Sequence, residues 1–293
     1  MKIKSIFLIL LFLLTSCSTH KEASIKLVTN AWIGYSPLFY AKEKGWLKEV
    51  NIEISPLVSL GESVMTFRSG GFDGLTGTQF EYQKLNALNS NLVPVIMFNR
   101  SNGGDMVMSN VSIKELQETS EKIDVYLEVN SVNAFVFDDF KKAHQLTQKT
   151  FNFINKDQLK IVTHLKQKAM NKPTIVVTYV PYNFELVNAG FKTVDSTRDA
   201  MNIVVLDALY VNTNTLNHHQ ENFKKLKIVI NNAIHNLKQN PKEYYEVVKP
   251  YLENPSYDEF LQSIHDIDWL NETIPPNLIE KMNEINFQTR NLL

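Results

Sequence analysis

The sequence predicts an α/β fold, and three observations point to it. The 293-residue chain is 44% hydrophobic and nearly balanced in charge, with 30 Lys and Arg against 31 Asp and Glu. That is too apolar for a disordered chain and too polar for a multi-span transporter, and the length accommodates one large domain or two of ordinary size. Strand-like runs then alternate with capped, helix-like segments from residue 25 to residue 211. Finally, no low-complexity tract, heptad run or solenoid repeat interrupts the alternation. Such alternation implies parallel sheets covered on both faces, with ligands bound beyond the carboxyl ends of strands, near helix starts.

The first segment reads as a sorting signal. Lys2 and Lys4 precede an unbroken apolar run over 6–14, far short of the roughly 20 residues of a spanning helix. A basic start, a short apolar core and small residues before a cleavage point describe a secretory signal, here 1–16. Its end, Leu14-Thr15-Ser16-Cys17, resembles the bacterial lipobox, in which the cysteine is lipidated and becomes the first residue. Cys17 is the only cysteine, so the chain has neither an internal disulfide nor a cysteine-based zinc cluster. Acyl chains would hold the mature protein on a bilayer, with 17–22 as a tether. By resemblance to lipoproteins of two-membrane bacteria, Ser18 after the cysteine leaves the inner or the outer membrane open, on the periplasmic side of the envelope.

Beyond the tether, 25–29 reads as a strand. A helix follows, with Ser36 as N-cap, Pro37 in the first turn and Gly45 just past the end. Strands are expected at 52–57, 72–75 and 92–98, separated by a helix over 62–68 and another over 78–88 that Thr78 and Glu81 cap as a box. In the middle section 105–109 is extended, Ser112 with Glu115 caps a short helix, 122–129 is a strand, and 132–146 is a helix burying Phe135, Phe140 and Ala143. Strands at 160–162 and 174–177, a short helix at 165–170 and a helix from Pro181 to Gly190 complete it. An extended run at 202–211 leads into a helical remainder. There Phe223, Leu226, Val229, Ile230, Ala233, Ile234 and Leu237 recur at helix spacing, and Asn240-Pro241 breaks the helix. Ser256 with Glu259 caps another helix, and Pro275-Pro276 opens a last one through Ile279, Met282 and Ile285. This tail is either a third unit or a cover for the first sheet.

The run Asn30-Ala31-Trp32-Ile33-Gly34-Tyr35-Ser36-Pro37-Leu38-Phe39-Tyr40-Ala41-Lys42-Glu43-Lys44-Gly45-Trp46-Leu47 resembles the opening of the extracytoplasmic solute-binding proteins of nitrate, sulfonate and taurine importers, a family that includes binders of the thiamine pyrimidine precursor. In order after it, the stretch from Phe67 to Leu75, the turn from Arg100 to Asp105, and Val180-Pro181-Tyr182 through Ala189-Gly190-Phe191 resemble further family features. The resemblance implies a periplasmic-binding-protein-like fold of type II, with two α/β lobes joined by two crossover segments. Lobe 1 would comprise 23–107 and 209–293 and lobe 2 would comprise 108–208, with crossings near 105–109 and 204–209. It implies a small-molecule solute bound in the cleft and delivered to an ABC permease with a cytoplasmic ATPase, no enzyme activity and no cofactor. The alternatives are a solute sensor for a signalling receptor or an enzyme on the same fold. The mature side-chain balance of 28 against 31 offers no footprint for nucleic acid.

Candidate cleft residues follow. Trp32 and Tyr35 either wall the solute with aromatic faces or pack the first sheet. Thr78 bonds solute or caps its own helix. Ser101 and Asp105 lie in a glycine-rich turn that allows close backbone approach; Asp105 accepts from an amine or hydroxyl, or bonds turn amides. Asn130 and Asn133 at one helix start, and Tyr179 and Tyr182 about Pro181, would face the solute from the second lobe. Asp207, in the return crossing, binds solute or braces the hinge. A buried sulfonate or nitrate needs strong donors, and Arg100 is the only arginine beside a cleft turn. The solute therefore stays open among sulfonate, nitrate, pyrimidine, amine and others, and an aromatic-lined site with Asp105 and Asp207 nearby would suit a neutral or amine-bearing organic one. No G-x-S-x-G elbow, H-E-x-x-H pair, P-loop or dinucleotide fingerprint is present, and His218-His219 reads as a solvated doublet rather than a metal site.

Overall fold

The computed structural model describes residues 23–167, 170–199 and 201–293. The expected secretory signal and the expected lipidation at Cys17 lie outside the described residues. The chain first lays down β1 (Ile25–Asn30), a 3-10 turn (Ile33–Tyr35), α1 (Ser36–Glu43), α2 (Trp46–Glu49), β2 (Ile52–Leu57), α3 (Leu60–Arg68), β3 (Gly74–Thr78), α4 (Gln79–Asn86) and β4 (Leu92–Ser101). It then forms β5 (Asp105–Ser109), α5 (Ile113–Glu118), β6 (Ile123–Leu127), α6 (Asn133–Ala143), β7 (Phe151–Asn155), α7 (Gln158–Lys166), β8 (Thr174–Tyr179), α8 (Tyr182–Asn188) and β9 (Lys192–Ser196). It returns through β10 (Leu206–Asn212), α9 (Thr213–Gln239), α10 (Pro241–Val248), a second 3-10 turn (Lys249–Tyr251), α11 (Tyr257–His265), β11 (Ile267–Trp269) and α12 (Pro276–Glu284).

Two sheets result, ordered β11-β4-β10-β3-β1-β2 and β7-β6-β8-β5-β9. They are mixed rather than wholly parallel. β10 runs antiparallel to β3 and β4, and β5 runs antiparallel to β8 and β9. The reason is the two crossings: a strand arriving from the other lobe enters from the opposite end and is inserted against the direction of its neighbours. The chain passes between the sheets over 102–104 and 197–205. The crossings expected at 105–109 and 204–209 lie beside these links, because β5 and β10 pair at once with the sheet that each enters.

The local signals operate as the sequence predicts at several helix starts. The Thr78/Glu81, Ser112/Glu115 and Ser256/Glu259 capping boxes are all formed, each satisfying otherwise unpaired N–H groups. Gly45 follows α1 at φ +78°, a conformation that favours glycine. In α9, Phe223, Leu226, Ile230, Ala233, Ile234 and Leu237 are buried. That face packs on α1, β4 and β10, while α10 packs on α1, so the helical tail covers the first sheet.

Other expectations change. Residues 160–162 are helical, not extended: Asp157 caps α7 through Lys160 N, and Gln158, Ile161, Val162 and Leu165 are buried at helical spacing. The helix expected at 165–170 is only the end of α7. Ser36 is inside α1 rather than its cap, and its hydroxyl pairs with Tyr244 Oη at 3.1 Å. In α6 the buried face is Val136, Phe137 and Phe140, whereas Ala143 is exposed and Phe135 is half-exposed. Phe135 instead meets Phe80 of the other lobe, with centroids 4.4 Å apart. In α12 the buried residues are Leu278 and Met282, with Ile279 exposed. The edge strands β7, β9 and β11 carry no signal singled out above; β7 buries none of its residues.

One apolar cluster runs through both lobes, joining Ile33, Leu38 and Phe98 of the first to Met106, Tyr126 and Tyr179 of the second. The lobes are thus closed on one another.

Candidate functional site

Strand register assembles the site from residues far apart in sequence. On the first sheet Thr78 lies opposite Asp207, and Asp207 opposite Asn99. The β10–β4 pairing shifts register between Asp207 and Ala208, a bulge of the kind that re-aims side chains. On the second sheet Asp105 lies opposite Tyr179. These two rows face each other across the junction of the lobes.

The segment after β1 completes the wall. Asn30 Oδ1 accepts from Trp32 N at 3.0 Å, and Trp32 Nε1 donates to Asn99 Oδ1 at 3.3 Å. A side chain at Gly34 would collide with the Asn99 amide and with Trp32 Nε1, so glycine is required for this close approach. The Trp32 ring meets Tyr179 of the other lobe edge-on, with centroids 5.7 Å apart. Tyr35 is buried against Phe98 and donates its hydroxyl to Asp207 Oδ1 at 2.5 Å.

Between the lobes lies a cavity of about 20 Å³ bounded by Asn30, Trp32, Tyr35, Leu60, Thr78, Asp105, Val132, Tyr179, Val205 and Asp207. That is room for one water-sized group. Among the described residues, no lysine or arginine lines it. Asp207 Oδ2, Asn30 Nδ2 and the Tyr179 hydroxyl are buried there without a hydrogen-bond partner of their own. Burial pushes the Asp207 carboxyl well above its ordinary range, and the neighbouring Asp105 adds to this, although Tyr35 and the Trp32 indole act the other way. Burial also raises Asp105 to about 6, against the hydrogen bond from Ser101. The Tyr35 and Tyr179 hydroxyls are likewise pushed up by burial and stay protonated.

A much larger groove, about 780 Å³, lies outside between α3 and α4 on one side and Glu128, Asn130, Asn155 and Asp157 on the other. Among the described residues, the small cavity is bounded by three with buried, unsatisfied polar atoms, Asn30, Tyr179 and Asp207, against Glu128 alone in the outer groove. Carboxylates pin the rim shut. Glu81 Oε1 accepts from Val132 N at 2.9 Å, and Glu128 Oε2 accepts from Gly61 N at 3.2 Å, each across the lobe junction. Burial raises both groups to about 7. On the hinge side Ser101 Oγ meets Thr197 Oγ1 at 2.9 Å, and Arg198 pairs with Asp266 at 2.9 Å.

Of the ten expected site residues, Trp32, Tyr35, Thr78, Asp105, Tyr179 and Asp207 meet at the cavity. Thr78 also caps α4. Tyr182 stands one ring behind, edge-on to Tyr179 at 5.4 Å, with its hydroxyl unpaired. Ser101 accepts from Asp105 N at 2.8 Å and braces the turn. Asn133 is buried behind the rim and accepts from Gln158 Nε2 at 2.9 Å. Asn130 is exposed in the outer groove, where it accepts from Lys84 Nζ at 3.1 Å. Arg100 is turned away and paired with Asp268. Asn30, Leu60, Val132 and Val205 at the cavity, Asn99 behind Trp32, and the rim carboxylates Glu81 and Glu128 were not among the expected ligand residues. For Asn30 and Asn99 a signal existed, since both are polar residues near the carboxyl ends of strands.

No protein-family model matches the sequence, and no curated protein matches it. Solved structures do match in three dimensions. The ligand-binding component of an ABC-type import system from Staphylococcus aureus, with zinc bound, superposes with a TM-score of 0.70 at 14% identity, over 91% of this chain and 93% of that one. The periplasmic nitrate-binding protein NrtA from Synechocystis PCC 6803 gives 0.62 at 16%, over 81% and 69%. The periplasmic aliphatic sulphonate-binding protein SsuA from Escherichia coli gives 0.68 at 9%, over 89% and 84%. At these identities the likeness is one of fold. The chain has the periplasmic-binding-protein-like fold, with two lobes joined by two crossover segments.

Proposed function

We propose that this protein binds a small organic solute outside the cytoplasm and delivers it to an ABC-type importer, without catalysing a reaction. The observation that carries the reading is the cavity at the lobe junction, where buried polar atoms of both lobes converge without partners of their own. A folded chain ordinarily pairs such groups, and a solute enclosed by lobe closure would pair them here. The names of structures with the same fold, a ligand-binding component of an ABC-type import system and periplasmic nitrate- and sulphonate-binding proteins, support the same reading. Export through 1–16 and acylation of Cys17 would place the lobes at the periplasmic face of a bilayer, within reach of a permease and its cytoplasmic ATPase.

The test is a thermal-shift screen of purified protein against sulfonates, nitrate, pyrimidines, amines and amino acids. A ligand that binds only the native state raises the unfolding midpoint in a concentration-dependent way. A binder that is recovered unchanged supports the proposal. Turnover of the solute, or a screen in which no member shifts the midpoint, contradicts it.

A further inference from the structure

We infer that the cleft selects a solute with a primary ammonium head, held between Asp105 of one lobe and Asp207 of the other. The inference rests on the solute-binding reading and narrows it. Asp105 and Asp207 are 4% and 3% exposed and bound one cavity from opposite lobes. Asp207 commits Oδ1 to Tyr35 and leaves Oδ2 without a partner of its own. Three cations of the flanking segments are engaged elsewhere: Arg100 with Asp268, Arg198 with Asp266, Lys84 with Asn130. An anion entering here would find no cation among the described lining residues to offset the cost of its desolvation.

An ammonium has the opposite balance. It brings three N–H donors to carboxylate oxygens, and its positive charge favours the ionised form of both acids against the burial that raises them. The rings of Trp32, Tyr35 and Tyr179 line the same cavity, and aromatic rings attract a cation placed over them. The small cavity fits a compact head rather than a planar guanidinium. Because the two acids belong to different lobes, the same contact would favour the closed form over the open one, and differential contact of this kind drives a population shift.

The experiment compares butylammonium, putrescine and ethanolamine with 1-butanol, butanesulfonate and nitrate at pH 7.5, by thermal shift and calorimetry. The ammonium compounds should raise the midpoint while the alcohol and the anions leave it unchanged. In Asp207→Asn the ammonium affinity should fall at least about 10-fold, the loss expected from a broken charge-assisted contact. Asp105→Asn is the second variant and should behave alike. A midpoint raised by butanesulfonate or nitrate but not by the amines overturns the ammonium assignment and leaves solute binding standing. So does an alcohol as effective as the amine, or an amine response that survives in both variants. A panel with no binder of either charge overturns both readings.

Discussion

The carboxylate of Glu81 accepts the backbone N–H of Val132 at 2.9 Å, joining a helix start in one lobe to a helix start in the other. The same side chain accepts from Thr78 N and Thr78 Oγ1 in its own capping box. One residue therefore fixes a local element and a global arrangement. Replacing Glu81 with alanine removes half the box, typically about 1 kcal/mol, and leaves a buried N–H unpaired, about 1–3 kcal/mol more. We expect a loss of about 2–4 kcal/mol in urea denaturation. A loss under about 0.5 kcal/mol would mean that the closed arrangement does not depend on this contact.

The rim and cavity acids also set the direction of pH dependence. Glu81 and Glu128 are raised by burial to about 7, and Asp105 to about 6. An acid whose folded-state value exceeds its unfolded one binds protons more readily when folded, so its contribution is fullest at low pH and is lost as pH rises through the folded value. Carboxylates held below their usual range, such as Asp138 beside Lys142 and Lys141, act only under more acid conditions. Between pH 8 and pH 5.5 the raised acids therefore govern the trend. The solute-free protein should melt about 5 °C or more higher at pH 5.5 than at pH 8. A flat or opposite profile in a buffer series would show that these carboxyls are not held in the closed, dry geometry.

Trp32 separates packing from recognition. It is 6% exposed, bonded to Asn99 and set edge-on to Tyr179. Its position at the strand end suggests that truncation weakens binding more than folding, but this burial means that Trp32→Ala also removes core, at about 3–5 kcal/mol. Trp32→Phe is the cleaner variant. It keeps an aromatic face on the cavity and loses the indole N–H, so stability should fall by about 1–2 kcal/mol while solute affinity drops by less than about 10-fold. Unchanged affinity in both variants, measured by titration of the folded fraction, would remove Trp32 from the solute wall.

What the sequence makes legible here divides by the range of the interaction. The capping boxes at Thr78, Ser112 and Ser256 and the buried stripe of α9 depend on residues three or four apart, and both are readable in one dimension. At 160–162, Ile161 and Val162 favour a strand in isolation, while the Asp157 cap and the burial of Leu165 decide for helix. The antiparallel insertion of β5 and β10 depends on where the chain crosses, which no local pattern encodes. At the cavity, Trp32, Asp105 and Asp207 were legible as polar or aromatic residues at turns and crossings. The partnership of Asn99 with Trp32, and the reach of Glu128 to Gly61, join residues 67 apart and depend on register and closure.

Tyr35 provides the last prediction. Its hydroxyl, buried and kept protonated, donates to Asp207 Oδ1 at 2.5 Å. The bond favours the ionised carboxylate and opposes the burial that raises it. Tyr35→Phe keeps the ring against Phe98 and removes only the donor, leaving Asp207 Oδ1 without that partner. The stability cost should be about 1–2 kcal/mol. If the solute is a cation, the variant should also bind it more weakly, because more of the binding free energy goes into ionising Asp207, and the deficit should narrow as pH rises and the carboxylate ionises unaided. Calorimetric titrations of both proteins from pH 6 to pH 9 measure this. A deficit independent of pH would assign Tyr35 a packing role and leave Asp207 to be held by its other neighbours.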